Sequence, residues 1–320
     1  MFYSDLSLRE VLGLTDSAAR EAWLALRGDP GLPASRFGPS SLRMFTPRLA
    51  SLTWRGKRAL GRRVPIINLF NRTPTPVEQG WSVRVTQVRD FRGKRLTYDS
   101  HNGTDFAVPP GTRVVAAAPG VVVAKRSEYN RGGLKLYLDH GDGLLTSSNH
   151  LARSLVDVGA RVARGQAIAL SGYSGIDALA SFGAVAPHVH FNVYLGGVQV
   201  DPFAAPGECS LWLGEHNLPE PARTSEQDTE PTRFDDVNVA ALLAQLRDPA
   251  RRTALGAIED PAQRAWQLVI EATTYPTRFA VPEAGRALFS AAVRAPRLTL
   301  PFAANEWNGV AFADDEGFRG

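Results

Sequence analysis

Between residues 81 and 203 of this 320-residue chain, short β-branched runs alternate with glycine and proline. The runs cover 82–88, 113–117, 121–125, 134–139, 161–163, 167–171 and 191–194. Pro109 to Gly111, Pro119-Gly120, Gly132-Gly133, Gly141-Asp-Gly143, Gly165 and Gly196-Gly197 supply the turns between them. Such spacing predicts a mainly β core, built as an antiparallel sheet or sandwich.

The flanks read differently. Residues 5–27 carry a helical pattern that Thr15-Asp16 can cap and that Gly28 and Pro30 end. With the Gly-, Pro- and Arg-rich stretch that follows, residues 1–80 read as an N-terminal helix and an extended basic arm packed on the main domain, which spans 81–214. Residues 215–236 are polar and proline-containing, as a linker would be. Residues 237–320 read as a small helical region: apolar positions line one face of 237–246, Asp248-Pro249 and Asp260-Pro261 each place a cap before a proline, and helices are expected over 261–274 and 282–295.

Composition excludes little. The formal charge is +4 and the pI near 9.4, compatible with an anionic partner such as a cell-wall polymer; no nucleic-acid partner is expected. Arg43 to Arg72 includes eight Arg or Lys and no Asp or Glu, read as a solvated basic face or a surface for an anionic polymer. A single cysteine, Cys209, permits no intramolecular disulfide. No apolar run is long enough for a membrane span, and the first residues do not resemble a secretory signal.

The chain has six histidines, and four of them fall in three short runs. His101 and Asp105 flank Asn-Gly-Thr, His150 precedes Leu151, and His188 and His190 lie two apart. On a strand, residues two apart share a face, so both imidazoles of the last pair enter one site. The Asn102-Gly103 turn can aim His101 and Asp105 into one cleft. Two imidazoles and a carboxylate are the three-ligand set of a catalytic zinc with one open position. His140 sits at a strand end before a turn and His216 in the linker; neither is placed in the site.

In order and spacing, His101-x-x-x-Asp105, His150-Leu151 and His188-x-His190 resemble the M23 family of zinc metallopeptidases, the lysostaphin and LytM type. The surrounding text is also similar: Gly103-Thr-Asp105-Phe-Ala-Val-Pro, Asp157-Val-Gly-Ala-Arg-Val-Ala-Arg-Gly-Gln166, Ser171-Gly-Tyr-Ser-Gly175 and the closing Asp201-Pro. The resemblance covers about residues 81–205 and implies a LytM-like β core. It implies one Zn²⁺ held by His101, Asp105 and His190, with His150 and His188 as catalytic histidines. One would take a proton from water; the other would donate to the oxyanion or the leaving amine. The sequence does not say which does which. The implied substrate is the peptide cross-link or stem of peptidoglycan. Many relatives place an aromatic residue where this chain has Ser148, so a ring that shapes the cleft is expected to be missing.

Two other readings compete. Some relatives have lost metal ligands and act as binding modules that activate cell-wall hydrolases, but all five residues are present here. Residues 159–168 also resemble a lipoyl or biotinyl carrier hairpin, which needs a modifiable lysine; none occurs after Lys135. An extracytoplasmic substrate without a visible signal leaves the location and export route open, and the sequence is silent on oligomeric state.

Overall fold

The computed structural model describes residues 5–28, 31, 33–73, 75–76, 79–181, 183–222, 230–280, 288 and 292–319. Its strands are β1 (Arg63–Asn68), β2 (Thr104–Ala107), β3 (Arg113–Val115), β4 (Gly120–Glu128), β5 (Gly133–Asp139), β6 (Leu144–Ser154), β7 (Arg161–Val162), β8 (Ala167–Ser171), β9 (His188–Leu195), β10 (Val198–Val200) and β11 (Gly309–Phe312). They form one sheet in the order β11-β1-β2-β9-β6-β5-β4-β7, with β10 on β9 and β8 linking β3 to β6. All pairs are antiparallel except β1 with β11. The mainly β, mostly antiparallel core therefore matches the reading from sequence.

Alternation along β9 separates the two faces of the sheet. Val189, Phe191 and Val193 join Phe106, Trp212, Phe302 and Trp307 in the main apolar core. His188, His190 and Asn192 face the other way. The segments flanking the β-rich region contribute to the same sheet: β1 lies in the stretch expected to be an extended arm, and β11 in the stretch expected to be helical. Both are short, and their apolar residues sit among arginines, glycines and prolines that mask a strand period. Part of the basic run is also tied down. Arg58 pairs with Glu306, Arg63 with Glu316, and Arg72 with Asp201 and Glu208, so among the described residues three of its eight charges meet carboxylates inside the chain.

Residues 82–88 do not form the expected strand. Asp99 Oδ1 accepts both the backbone N–H and the hydroxyl of Thr86, at 2.8 and 2.9 Å, and Val83 N–H donates to Arg36 O. Side-chain and loop partners satisfy this backbone in place of a ladder. The N-terminal helical pattern is two helices, α1 (Leu8–Leu12) and α2 (Ala18–Arg27), because Gly13 adopts φ 64° and closes the first. A further helix, α3 (Pro47–Trp54), packs Leu49 and Ala50 against Ile67 and Ala107. A short α4 (Asp177–Ala180) precedes β9.

Beyond residue 235 come α5 (Asp236–Ala244), α6 (Pro249–Gly256) and α7 (Pro261–Thr274). Asp235, Asp248 and Asp260 cap their first turns. The helix expected over 282–295 lies largely outside the described residues. Helix α7 packs Trp266, Val269 and Ile270 onto Val123, Tyr137 and Tyr194 of the sheet. Its Glu271 is fully buried and meets three guanidiniums: Arg126 at 3.1 Å, Arg251 at 2.8 Å and Arg278 at 2.6 Å.

Removing that carboxylate's charge takes the shared counter-charge from three guanidiniums. Glu271→Gln should lower unfolding stability in urea by about 3–5 kcal/mol; an unchanged midpoint would contradict the packing described. A second test concerns His140, buried between Pro119 O and Thr146 Oγ1 at 2.8 Å each. Burial lowers its pKa from 6.5 to about 4, so the unfolded chain takes up this proton first. The stability it supports is intact above pH 6.5 and is lost as the pH falls to 4. Between pH 7 and 4, the native chain should lose about 3 kcal/mol more than His140→Gln; parallel losses would refute it.

Candidate active site

One rung across four strands builds the floor of the site. In register, Asn68 of β1 opposes Asp105 of β2, Asp105 opposes His190 of β9, and His190 opposes Asn149 of β6. Paired residues in an antiparallel ladder share a face, so these four project together. His188, two residues before His190, adds a second imidazole to that face. His101 enters from the turn before β2, completely buried.

His101 Nε2, Asp105 Oδ1 and His190 Nδ1 form a triangle with edges of 3.0, 2.7 and 3.1 Å. The outer partners decide their protonation. Leu69 O lies 2.7 Å from His101 Nδ1; a carbonyl only accepts, so that nitrogen carries the proton and Nε2 a lone pair. His190 Nε2 faces Asn102 Oδ1 at 3.2 Å, which leaves His190 Nδ1 unprotonated in the same way. Asp105 Oδ2 accepts from Asn68 Nδ2 at 2.7 Å. Burial works to raise the Asp105 pKa, but positive charge among its ring of histidines, the place a bound cation would take, outweighs it and keeps the carboxyl well below its usual range.

Three acceptors therefore converge with no hydrogen left to share between them. Such a set fits a cation. Its edges approach the ~3.3 Å edge of a tetrahedron with zinc-to-nitrogen bonds of about 2.0–2.1 Å, and every ligand has an outer hydrogen bond that fixes its orientation. Among the described residues it is the cluster of His, Cys, Asp or Glu that could hold a metal ion.

The other two site histidines stand beside it. His188 Nε2 is 3.8 Å from Asp105 Oδ1, and the rings of His150 and His188 are 4.8 Å apart. Both share one tautomer: His188 Nδ1–H donates to Ala186 O at 2.9 Å, and His150 Nδ1–H to Ser174 O at 2.7 Å. Each Nε2 thus offers a lone pair toward the cleft. Burial lowers the His150 pKa to about 4, so this imidazole is neutral near pH 7. His150 owes its aim to a bulge. Leu134 pairs with Leu151 but Leu136 with Ser148, so β6 carries one extra residue there, and His150 takes φ 60°. Its N–H reaches Gly132 O at 2.8 Å.

All five residues singled out from the sequence come together. His140 and His216 stay apart, the first buried in the hydrogen-bonded niche described above and the second exposed. Ser148 leaves no gap in the wall: it pairs with Phe191, which belongs to the apolar core on the opposite face. Rings reach the cleft from other positions, Tyr98 at 4.6 Å from His101 and Tyr173 at 5.4 Å from His188. The sequence reading also missed Asn68, Asn102 and Asp177, whose Oδ2 lies 3.8 Å from His150 Nε2. It missed Arg319 as well, near the C-terminal end, which is buried and donates to Ile67 O at 2.6 Å, to Thr97 O and to Asn68 Oδ1. With Oδ1 engaged by a donor-only guanidinium, the Asn68 amide must turn its NH₂ toward Asp105. Asn102 lies inside the His101–Asp105 run and was read only as a turn; no short motif marks Asn68, Asp177 or Arg319, which register and long-range packing bring in.

The cleft above the rung has a volume of about 460 Å³. Phe37, Met44 and Phe45 line it from the N-terminal segment, and Thr273 and Thr274 from the end of α7. Both flanks thus wall a site whose chemistry comes from the central strands.

Residues 99–202 match the profile described as Peptidase family M23. Over 135 residues the chain is 38% identical to the peptidoglycan DD-endopeptidase ShyA of Vibrio cholerae, covering 41% of this chain and 29% of that protein. It is 36% identical over 104 residues to ShyC of the same organism, also named a peptidoglycan DD-endopeptidase, covering 32% of this chain and 22% of that protein. The match thus spans less than a third of these relatives' length. Among solved structures, a zinc-containing peptidase from Vibrio cholerae is similar at 31% identity and a TM-score of 0.32, over 45% of this chain and 39% of that one. Across residues 99–202, the chain carries a peptidase M23 domain.

Proposed function

We propose that this chain is a zinc-dependent endopeptidase that hydrolyses peptide bonds in the cross-links or stem peptides of peptidoglycan, and so acts outside the cytoplasmic membrane. The observation that carries this reading is the convergence of His101 Nε2, Asp105 Oδ1 and His190 Nδ1 beside two imidazoles that turn Nε2 to the cleft. One Zn²⁺ per chain would be held by His101, Asp105 and His190. When bound, it supplies Lewis acidity that polarises the scissile carbonyl and acidifies water. The similarity to proteins named peptidoglycan DD-endopeptidases supports the substrate class. No helix among the described residues is long and apolar enough to cross a membrane.

The remaining chemistry falls to side chains. His150 and His188 each hold Nδ1–H on a carbonyl and keep Nε2 free, so each can accept a proton from water and return it to the leaving amine. Asp177, 3.8 Å from His150 Nε2, favours the protonated form of that ring at the moment it forms. The buried carbonyl contacts hold both rings against rotation, which keeps the accepting atoms aimed at the cleft. The intact five-residue set supports catalysis over a purely binding role.

Digestion of purified peptidoglycan with mass analysis of the fragments, with and without a chelator, tests this directly. New peptide termini are expected only without chelator, and added zinc should restore them. Asp105→Ala or His190→Ala should lose bound zinc and activity together. His150→Ala or His188→Ala should keep zinc while turnover falls about 10²–10⁴-fold. Loss of metal in His150→Ala with retention in His101→Ala would overturn the division of roles; peptidoglycan left intact by the zinc-loaded chain would overturn the function.

A further inference from the structure

Arg131 lies in the turn between β4 and β5, on the cleft wall next to His150. That turn is seated on the bulge: Gly132 O accepts the His150 N–H at 2.8 Å, and a Cβ built on Gly132 would sit 3.4 Å from Asn149 Cβ. The guanidinium carbon is 5.5 Å from the ring centroid of Trp81, which lines the same cleft. Among the described residues, Arg131 has no ion-pair partner and its side chain makes no hydrogen bond; its Nε is buried without a partner.

The nearby acids are committed elsewhere. Glu128 is held by Lys135 and by the hydroxyl of Tyr275. Asp177 lies against His150, and Asp105 belongs to the metal set. Burial pulls the pKa of Arg131 downward from its usual value, but a guanidinium stays charged at neutral pH. A largely buried cation that no carboxylate pairs with directly is costly to hold. An anion arriving with the substrate would offset that cost, and a planar fork is matched by a planar carboxylate. Negative charge already present at Asp105 and Asp177 disfavours a dianion such as a phosphate monoester.

We propose that Arg131 binds a free carboxylate of the peptide substrate, selecting acidic peptides whose carboxylate lies close to the cleaved bond. The inference rests on the endopeptidase reading for its substrate, but its test separates the two. Synthetic stem-type peptides would be made in pairs, identical except that one free carboxylate at a time is replaced by a carboxamide. Their equilibrium binding to the zinc-loaded full chain, and to Arg131→Gln and Arg131→Lys, would be measured by calorimetry, with kcat/KM measured alongside.

For one such pair, the native chain should bind the carboxylate form about 10–100-fold more tightly than the carboxamide. Arg131→Gln should abolish that preference by weakening the carboxylate peptide alone, and Arg131→Lys should retain part of it. Equal binding of both forms in every pair by the native chain overturns the proposal. So does a preference that survives Arg131→Gln, or a variant that weakens both forms alike, which would mark Arg131 as structural. A preference that depends on Arg131 without any peptide cleavage would uphold carboxylate recognition and defeat the endopeptidase reading.

Discussion

His101 Nε2, Asp105 Oδ1 and His190 Nδ1 lie 2.7–3.1 Å apart, each an acceptor whose other hydrogen-bonding atom is already engaged. Three lone pairs this close repel one another in a buried site unless a positive charge joins them. The architecture around them keeps that tension in place. A ladder rung fixes Asp105 against His190, a carbonyl fixes the His101 tautomer, and Asn68 holds the second carboxylate oxygen. Asn68 is in turn held by Arg319, more than 200 residues away in sequence. Strand pairing sets the positions, and outer hydrogen bonds set the protonation.

The flanks acquire meaning from this arrangement. β1 and β11 extend the sheet beyond the strands that carry the chemistry, and β1 brings Asn68 to the rung. Helix α7 is anchored by buried apolar side chains and by Glu271 among three arginines, and its end forms one side of the cleft. The N-terminal segment forms the other. Changes at Phe37, Met44, Thr273 or Thr274 therefore alter the shape of the cleft without touching its chemistry, whereas Asn68 and Arg319, also in the flanks, bear on Asp105 itself.

Much of the centre was legible in the sequence, because its signals are local. Two histidines at a spacing of two declare a shared strand face, and Gly-Pro punctuation declares short antiparallel strands. Asp248-Pro249 and Asp260-Pro261 declare helix starts, which the structure shows. What was not legible is set by distant partners. Residues 82–88 look like a strand but spend their backbone hydrogen bonds on Asp99 and Arg36. β6 shows no alternation in Thr-Ser-Ser-Asn because nearly all of it is buried on both faces. His150 could be named as a site residue, yet nothing local announces the bulge and positive φ that aim it. Asn68, Asp177, Arg131 and Arg319 carry no motif at all and enter only through register and packing.

The central claim is that two imidazoles and one carboxylate, His101, His190 and Asp105, make a zinc site that His150 and His188 flank without joining. X-ray absorption at the zinc edge of the zinc-loaded chain tests it most directly. The account predicts one zinc per chain with two imidazole ligands and the rest oxygen, unchanged in His150→Ala and His188→Ala and lost in Asp105→Ala. Three or four imidazoles around the metal, or a spectrum indifferent to Asp105→Ala, would contradict it.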